Sequence, residues 1–77
     1  MAQLSVREVQ PRAQTALANS PIFELRDLCV GQVNGALLIS GCVSSFYHKQ
    51  LAQEVVRAVC KECMDIEVEL VNSIRVR

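Results

Sequence analysis

Cys60-Lys61-Glu62-Cys63 has the C-x-x-C spacing of half a zinc site or of a thiol–disulfide pair. A complete metal site needs a second pair of ligands, and the other two cysteines, Cys29 and Cys42, fall in a different part of the chain. A reactive redox thiol sits at a helix N-terminus, where the dipole favours the thiolate; here the pair closes a helical pattern, where the dipole has the opposite sign. Four reduced thiols packed as small apolar groups are therefore the favoured reading, with no metal and no cofactor. A metal-linked regulator using Cys60 and Cys63 stands as the alternative. His48 is the single histidine, and no neighbouring Ser or Cys has the context of an activated nucleophile, so it reads as a partly buried structural residue. No catalytic residue is assigned and no enzyme is expected.

The charges give little to act at a distance. Eight Lys plus Arg balance eight Asp plus Glu. They are interspersed except for an acidic patch of Glu62, Asp65, Glu67 and Glu69. With no basic stripe, no GXXG loop and no stacking aromatics on strands, nucleic acid is not an expected partner. The first ten residues include Arg7 and Glu8 where an export signal would be continuously apolar. The longest apolar run, Gly35 to Val43, is far short of the ~20 residues that span a bilayer. The expected location is cytoplasmic, or periplasmic where an export signal has been removed.

The elements that must carry these residues follow from periodicity and punctuation. Ser5 and Glu8 have capping-box spacing, but Pro11 would then lie inside the helix at a cost of ~3 kcal/mol. The expected helix therefore begins at Pro11 and ends before Asn19-Ser20-Pro21, with residues 1–10 as an arm and 11–77 as one domain. Two aliphatic runs, Leu28 to Val33 and Ala36 to Val43, flank Asn34-Gly35, the pair that a two-residue type I′ hairpin turn demands. That turn sets Val33 opposite Ala36, Gln32 opposite Leu37, Val30 opposite Ile39 and Leu28 opposite Gly41.

Leu28, Val30, Leu37 and Ile39 then share the face that meets the helices, and Gly41 would let a helix backbone approach closely. Cys29, Gly31, Val33, Ala36, Leu38, Ser40 and Cys42 share the other. Cys29 and Cys42 are diagonal neighbours there, too far apart in a flat register for a disulfide, which needs Cα atoms within about 7 Å.

Ser44 or Ser45 caps a second helix running to about Glu62, with Leu51, Val55, Ala58 and Val59 as its apolar stripe and Ala52 beside it. Tyr47 lies near that stripe and is expected to pack. Phe46 points away, and it is expected either to stand exposed or to meet the connector that carries Phe23. A closing strand alternates from Ile66 to Val76, interrupted at Val71 and Asn72 by a bulge or a sheet edge. The fold class is α+β in the order αββαβ, a three-stranded mixed sheet with two helices packed on one face. The first strand is expected in the middle.

The run Asn34-Gly35-Ala36-Leu37-Leu38-Ile39-Ser40-Gly41-Cys42-Val43 resembles the hairpin of BON domains, in which an apolar strand follows a turn glycine and ends in Ser-Gly-x-Val. Leu51 to Val59 and Val71-Asn72-Ser73-Ile74-Arg75-Val76 are also similar to that family, so the likeness covers roughly residues 12–76. It makes Asn34, Gly35 and Gly41 the structural motif. The resemblance implies a non-catalytic module binding a phospholipid surface or a protein partner. From the residues themselves, the candidate interaction surface is Phe46 together with Val33, Ala36, Leu38 and Val71 on the uncovered sheet face. That face would serve a protein partner or a self-associating scaffold, and Phe46 would serve a peripheral membrane anchor.

Overall fold

A computed structural model of the chain describes residues 6–63 and 68–77. The elements run α1 (Val6–Ala18), a short 3₁₀ turn (Phe23–Leu25), β1 (Cys29–Val33), β2 (Ala36–Val43), α2 (Phe46–Cys63) and β3 (Leu70–Val76). The order is αββαβ, and the sheet is mixed. Its core joins Val9, Ala13 and Leu17 of α1, Leu25 and Leu28, Val30 of β1, Leu37, Ile39 and Val43 of β2, Ala52, Val56 and Cys60 of α2, and Ile74 of β3.

The hairpin has the register that its turn dictates. Asn34 and Gly35 both have positive φ, 50° and 81°, the geometry that makes the turn's twist agree with that of the strands. Val33 pairs with Ala36, Gln32 with Leu37 and Val30 with Ile39. Leu28, Val30, Leu37 and Ile39 are all buried, on the side facing the helices.

Strand order departs from expectation. β2 lies in the middle, antiparallel to β1 and parallel to β3. The reason lies on the outer side of β1, whose main chain is already taken by α1. Gln14 Nε2 donates to Leu28 O at 2.8 Å and Gln14 Oε1 accepts from Val30 N at 2.8 Å. Gln10 Nε2 donates to Val30 O at 2.7 Å. Four helical residues rise about 6 Å and two strand residues about 6.7 Å, so amides at i and i+4 match alternate strand carbonyls. No position is left there for β3.

The same bonds explain the second departure: α1 begins at Val6, with Pro11 inside it, rather than at Pro11. Pro11 forfeits a helical hydrogen bond at a cost of about 3 kcal/mol. The turn before it buries Val9 completely, and burying a valine stabilises by roughly 1.5–3 kcal/mol. Val6 packs on the core and Gln10 bonds to β1, and these tertiary terms outweigh the local penalty. Ser5 of the capping-box spacing lies outside the described residues, as does Ile66 of the expected third strand.

On α2 the deepest residues are Ala52, Val56 and Cys60, while Leu51, Val55 and Val59 are half-buried and Ala58 is exposed. The buried line is thus turned from the Leu51–Val55–Ala58 stripe because α2 packs against α1 as well as the sheet. β3 alternates without a bulge: Leu70, Asn72, Ile74 and Val76 face inward, Val71, Ser73 and Arg75 outward. Asn72 fits on the inner side because its amide donates to Lys49 O at 3.2 Å and to Gln53 Oε1 at 3.1 Å on α2.

Gly41 has φ 132°, a region closed to residues with a Cβ. A Cβ there would stand 2.6 Å from Leu28 Cδ2. The glycine accommodates its strand neighbour, not a helix backbone.

Candidate interaction surface

The densest polar cluster forms where the 3₁₀ turn meets the N-terminus of α2. Ser45 is the cap: its Oγ accepts from His48 N at 3.2 Å, and its carbonyl accepts from Lys49 N at 3.2 Å. Glu24, carried in by the 3₁₀ turn, adds a carboxylate to the same end. Ser44 N donates to Glu24 Oε1 at 2.6 Å, and the Ser44 hydroxyl donates to Glu24 Oε2. A negative group here meets unpaired N–H donors and the positive end of the helix dipole. The Ser44 hydroxyl above all holds the Glu24 carboxyl below its usual range; partial burial opposes it, and Ser44 N–H, His48 and Arg77 reinforce it.

His48 Nδ1 lies 3.1 Å from Glu24 Oε2 and 2.9 Å from Ser45 Oγ. Serine and carboxylate therefore meet the same ring nitrogen. A Ser-His-acid relay needs them on opposite nitrogens, so that a proton passes from one side of the imidazole while the acid orients the other. This arrangement instead ties the 3₁₀ turn to the helix end. Arg77 joins it from the end of β3, with Nη2 3.8 Å from Glu24 Oε1 and its main-chain N donating to Val43 O at 2.9 Å.

Around this cluster stand three exposed aromatic rings: Phe23 at 72 %, Phe46 at 74 % and Tyr47 at 68 %. Phe46 is exposed, whereas Tyr47 does not pack as its helical phase suggested. The Tyr47 ring stands largely in solvent, with the His48 ring 5.7 Å away. Phe23 adjoins Glu24 in the turn, and the Arg26 guanidinium lies 5.8 Å from the centre of its ring, within cation–π range. A recess of about 260 Å³ opens beside it, lined by Phe23, Glu24, Asp27, Cys42 and Arg77. Phe23 carried no periodicity signal and that of Tyr47 pointed inward; the meeting of turn and helix brings both to the end that carries Phe46.

The uncovered sheet face is less apolar than its strand pattern implied. Val33 is 48 % and Val71 38 % exposed, and Leu38 pairs with Val71 across the parallel ladder. Ala36 is only 6 % exposed and offers almost no surface. Beyond Leu38, the rows Ser40–Ser73 and Cys42–Arg75 are polar.

Cys29 and Cys42 are free and exposed, Cys63 is half-buried and Cys60 is buried. Burial, and then the neighbouring Cys63, push the Cys60 thiol above its ordinary pKa, so it is a packed thiol at neutral pH. Cys63 faces a groove of about 480 Å³ between the helices, with Arg12 Nη1 3.9 Å from its sulfur. Among the described residues no three His, Cys, Asp or Glu side chains gather as a metal site would require, and no helix is long and apolar enough to cross a membrane. The chain matches no family model, and no curated protein or solved structure is significantly similar to it.

Proposed function

We propose that this chain is a non-catalytic binding module that docks peripherally on a phospholipid surface through its Phe23, Phe46 and Tyr47 end. The observation that carries the reading is that three aromatic side chains, each about two-thirds exposed or more, are carried by the 3₁₀ turn and the first turn of α2, which Glu24 joins through Ser44 and His48. Aromatic side chains partition to the membrane interface, where an apolar ring meets headgroups and water. Arg26 and Arg77 supply cations beside Phe23, each able to add about 1 kcal/mol near an anionic lipid surface. The rings stand on rigid supports, because Glu24, Ser44, Ser45 and His48 lock the turn to the helix end. The resemblance to BON domains points the same way.

Co-sedimentation with phosphatidylglycerol–phosphatidylcholine vesicles tests this. The wild-type chain is expected in the pellet, and a Phe23→Ser, Phe46→Ser, Tyr47→Ser variant in the supernatant. A wild-type chain that stays in the supernatant at every lipid composition removes the lipid reading. The aromatic end would then be a surface for a protein partner.

A further inference from the structure

The two edges of the sheet are finished differently. On β1 the outward main-chain groups of Leu28 and Val30 are bonded by Gln10 and Gln14. On β3 the bonds Leu37 N to Glu69 O, at 3.0 Å, and Arg77 N to Val43 O, at 2.9 Å, bracket the parallel ladder. Main-chain groups alternate sides along a strand, so residues 69, 71, 73, 75 and 77 bond to β2 while Leu70, Asn72, Ile74 and Val76 turn theirs outward. Among the described residues, Ile74 N–H is the outward group that a side chain takes, donating to Asn72 Oδ1 at 3.1 Å. An edge of this length left unpaired is a template for another strand.

Charge along this edge selects the strand that fits. Glu69 stands at its start and Arg75 near its end, both exposed on the open face. Six residues of extended chain separate them by about 20 Å, so they cannot pair within one molecule. Parallel self-pairing would set Glu69 on Glu69 and Arg75 on Arg75, which is repulsive. Antiparallel self-pairing sets each Glu69 against an arginine, because the strand is acidic at one end and basic at the other.

We infer that β3 is the docking edge for a second copy of this chain, paired antiparallel about a two-fold axis at Asn72. In that register Leu70 opposes Ile74, Glu69 opposes Arg75 and Val71 opposes Ser73 of the second copy. The contact is isologous, so it closes at two chains and forms one six-stranded sheet from two three-stranded ones. Ile74 N–H exchanges its bond to Asn72 Oδ1 for one to Leu70 O across the axis, and Leu70 and Asn72 gain partners for their outward groups. The two Leu38–Val71 patches then lie on one continuous face. The pairing does not use the aromatic rings, which stand beyond the end of β3 where Arg77 meets Glu24 and Phe23.

Sedimentation equilibrium of the full chain over a wide concentration range tests it, with Glu69→Lys and Arg75→Glu as exposed substitutions that leave the core alone. The wild type is expected to approach the mass of two chains, and each variant alone to dissociate at least about tenfold more readily, since like charges then face each other. An equimolar mixture of the two variants is expected to regain wild-type affinity. In the mixed pair each substituted position meets an opposite charge: the introduced lysine faces the introduced glutamate, and the native Arg75 of one chain faces the native Glu69 of the other. A wild type that stays monomeric throughout, or variants that dimerise as well alone as mixed, overturns the inference.

Discussion

The side-chain amide of Gln14 completes the outer edge of β1 at Val30: its oxygen accepts the Val30 N–H at 2.8 Å, while its nitrogen donates to Leu28 O at 2.8 Å. A single glutamine thus acts as one more rung of the sheet, and it fixes how α1 lies along the strand. Gln10, whose amide donates to Val30 O at 2.7 Å, ties the turn ahead of Pro11 to the same strand, and β3 is left as the other edge of the sheet.

Gln14→Met keeps the length of the side chain but strands one N–H and one C=O at a partly buried edge. It is expected to lower unfolding free energy by about 1–3 kcal/mol, the cost of such unpaired groups. Urea denaturation with an unchanged m-value would register this as a lower midpoint. A midpoint equal to wild type would mean that water serves the edge as well as the amide does.

Glu24 sets a pH dependence whose sign follows from its depressed pKa. The carboxylate is favoured in the folded state, so its stabilising effect is complete above the ordinary value of 4.5 and is lost as pH falls through the lower folded value. Glu24→Gln is expected to be less stable than wild type at neutral pH, with the two converging in acid. Urea midpoints measured from pH 7 downward follow the convergence. A gap that stays constant with pH would rule out the carboxylate charge as its source.

Gly41→Ala places a Cβ 2.6 Å from Leu28 Cδ2 on a backbone at φ 132°. A strained backbone conformation of this kind costs of order 1–3 kcal/mol. Combining it with Leu28→Ala removes the clash but not the φ penalty, so the double variant is expected to remain less stable than Leu28→Ala alone. Equal thermal midpoints for those two would show that the steric contact was the whole effect.

The four thiols are expected to separate by rate of alkylation under native conditions. Cys29 and Cys42 react first, Cys63 more slowly, and Cys60 only through opening of the α2 packing. Mass spectrometry of a timed labelling course reads the order. Early modification of Cys60 would contradict its place in the core.

Local rules sufficed wherever one short stretch carried its own geometry. Asn34-Gly35 determined the hairpin, its register and the buried face of Leu28, Val30, Leu37 and Ile39, because a two-residue turn with positive φ at both positions leaves one pairing. A serine cap at Ser44 or Ser45 and the αββαβ order were legible in the same way, while the choice of Ser45 and the exposure of Phe46 came from the structure. What depends on the meeting of distant residues was not legible. Gln10 and Gln14 have no signature as edge partners until α1 lies beside β1, and that contact also decides that β2 is central and that the helix runs through Pro11. Ala36 sinks, Tyr47 emerges and Phe23 joins Phe46 only when the 3₁₀ turn is locked against α2 by Glu24, Ser44 and His48. Periodicity states which residues share a face of one element; what covers that face is set by the other elements, and only tertiary packing brings them there.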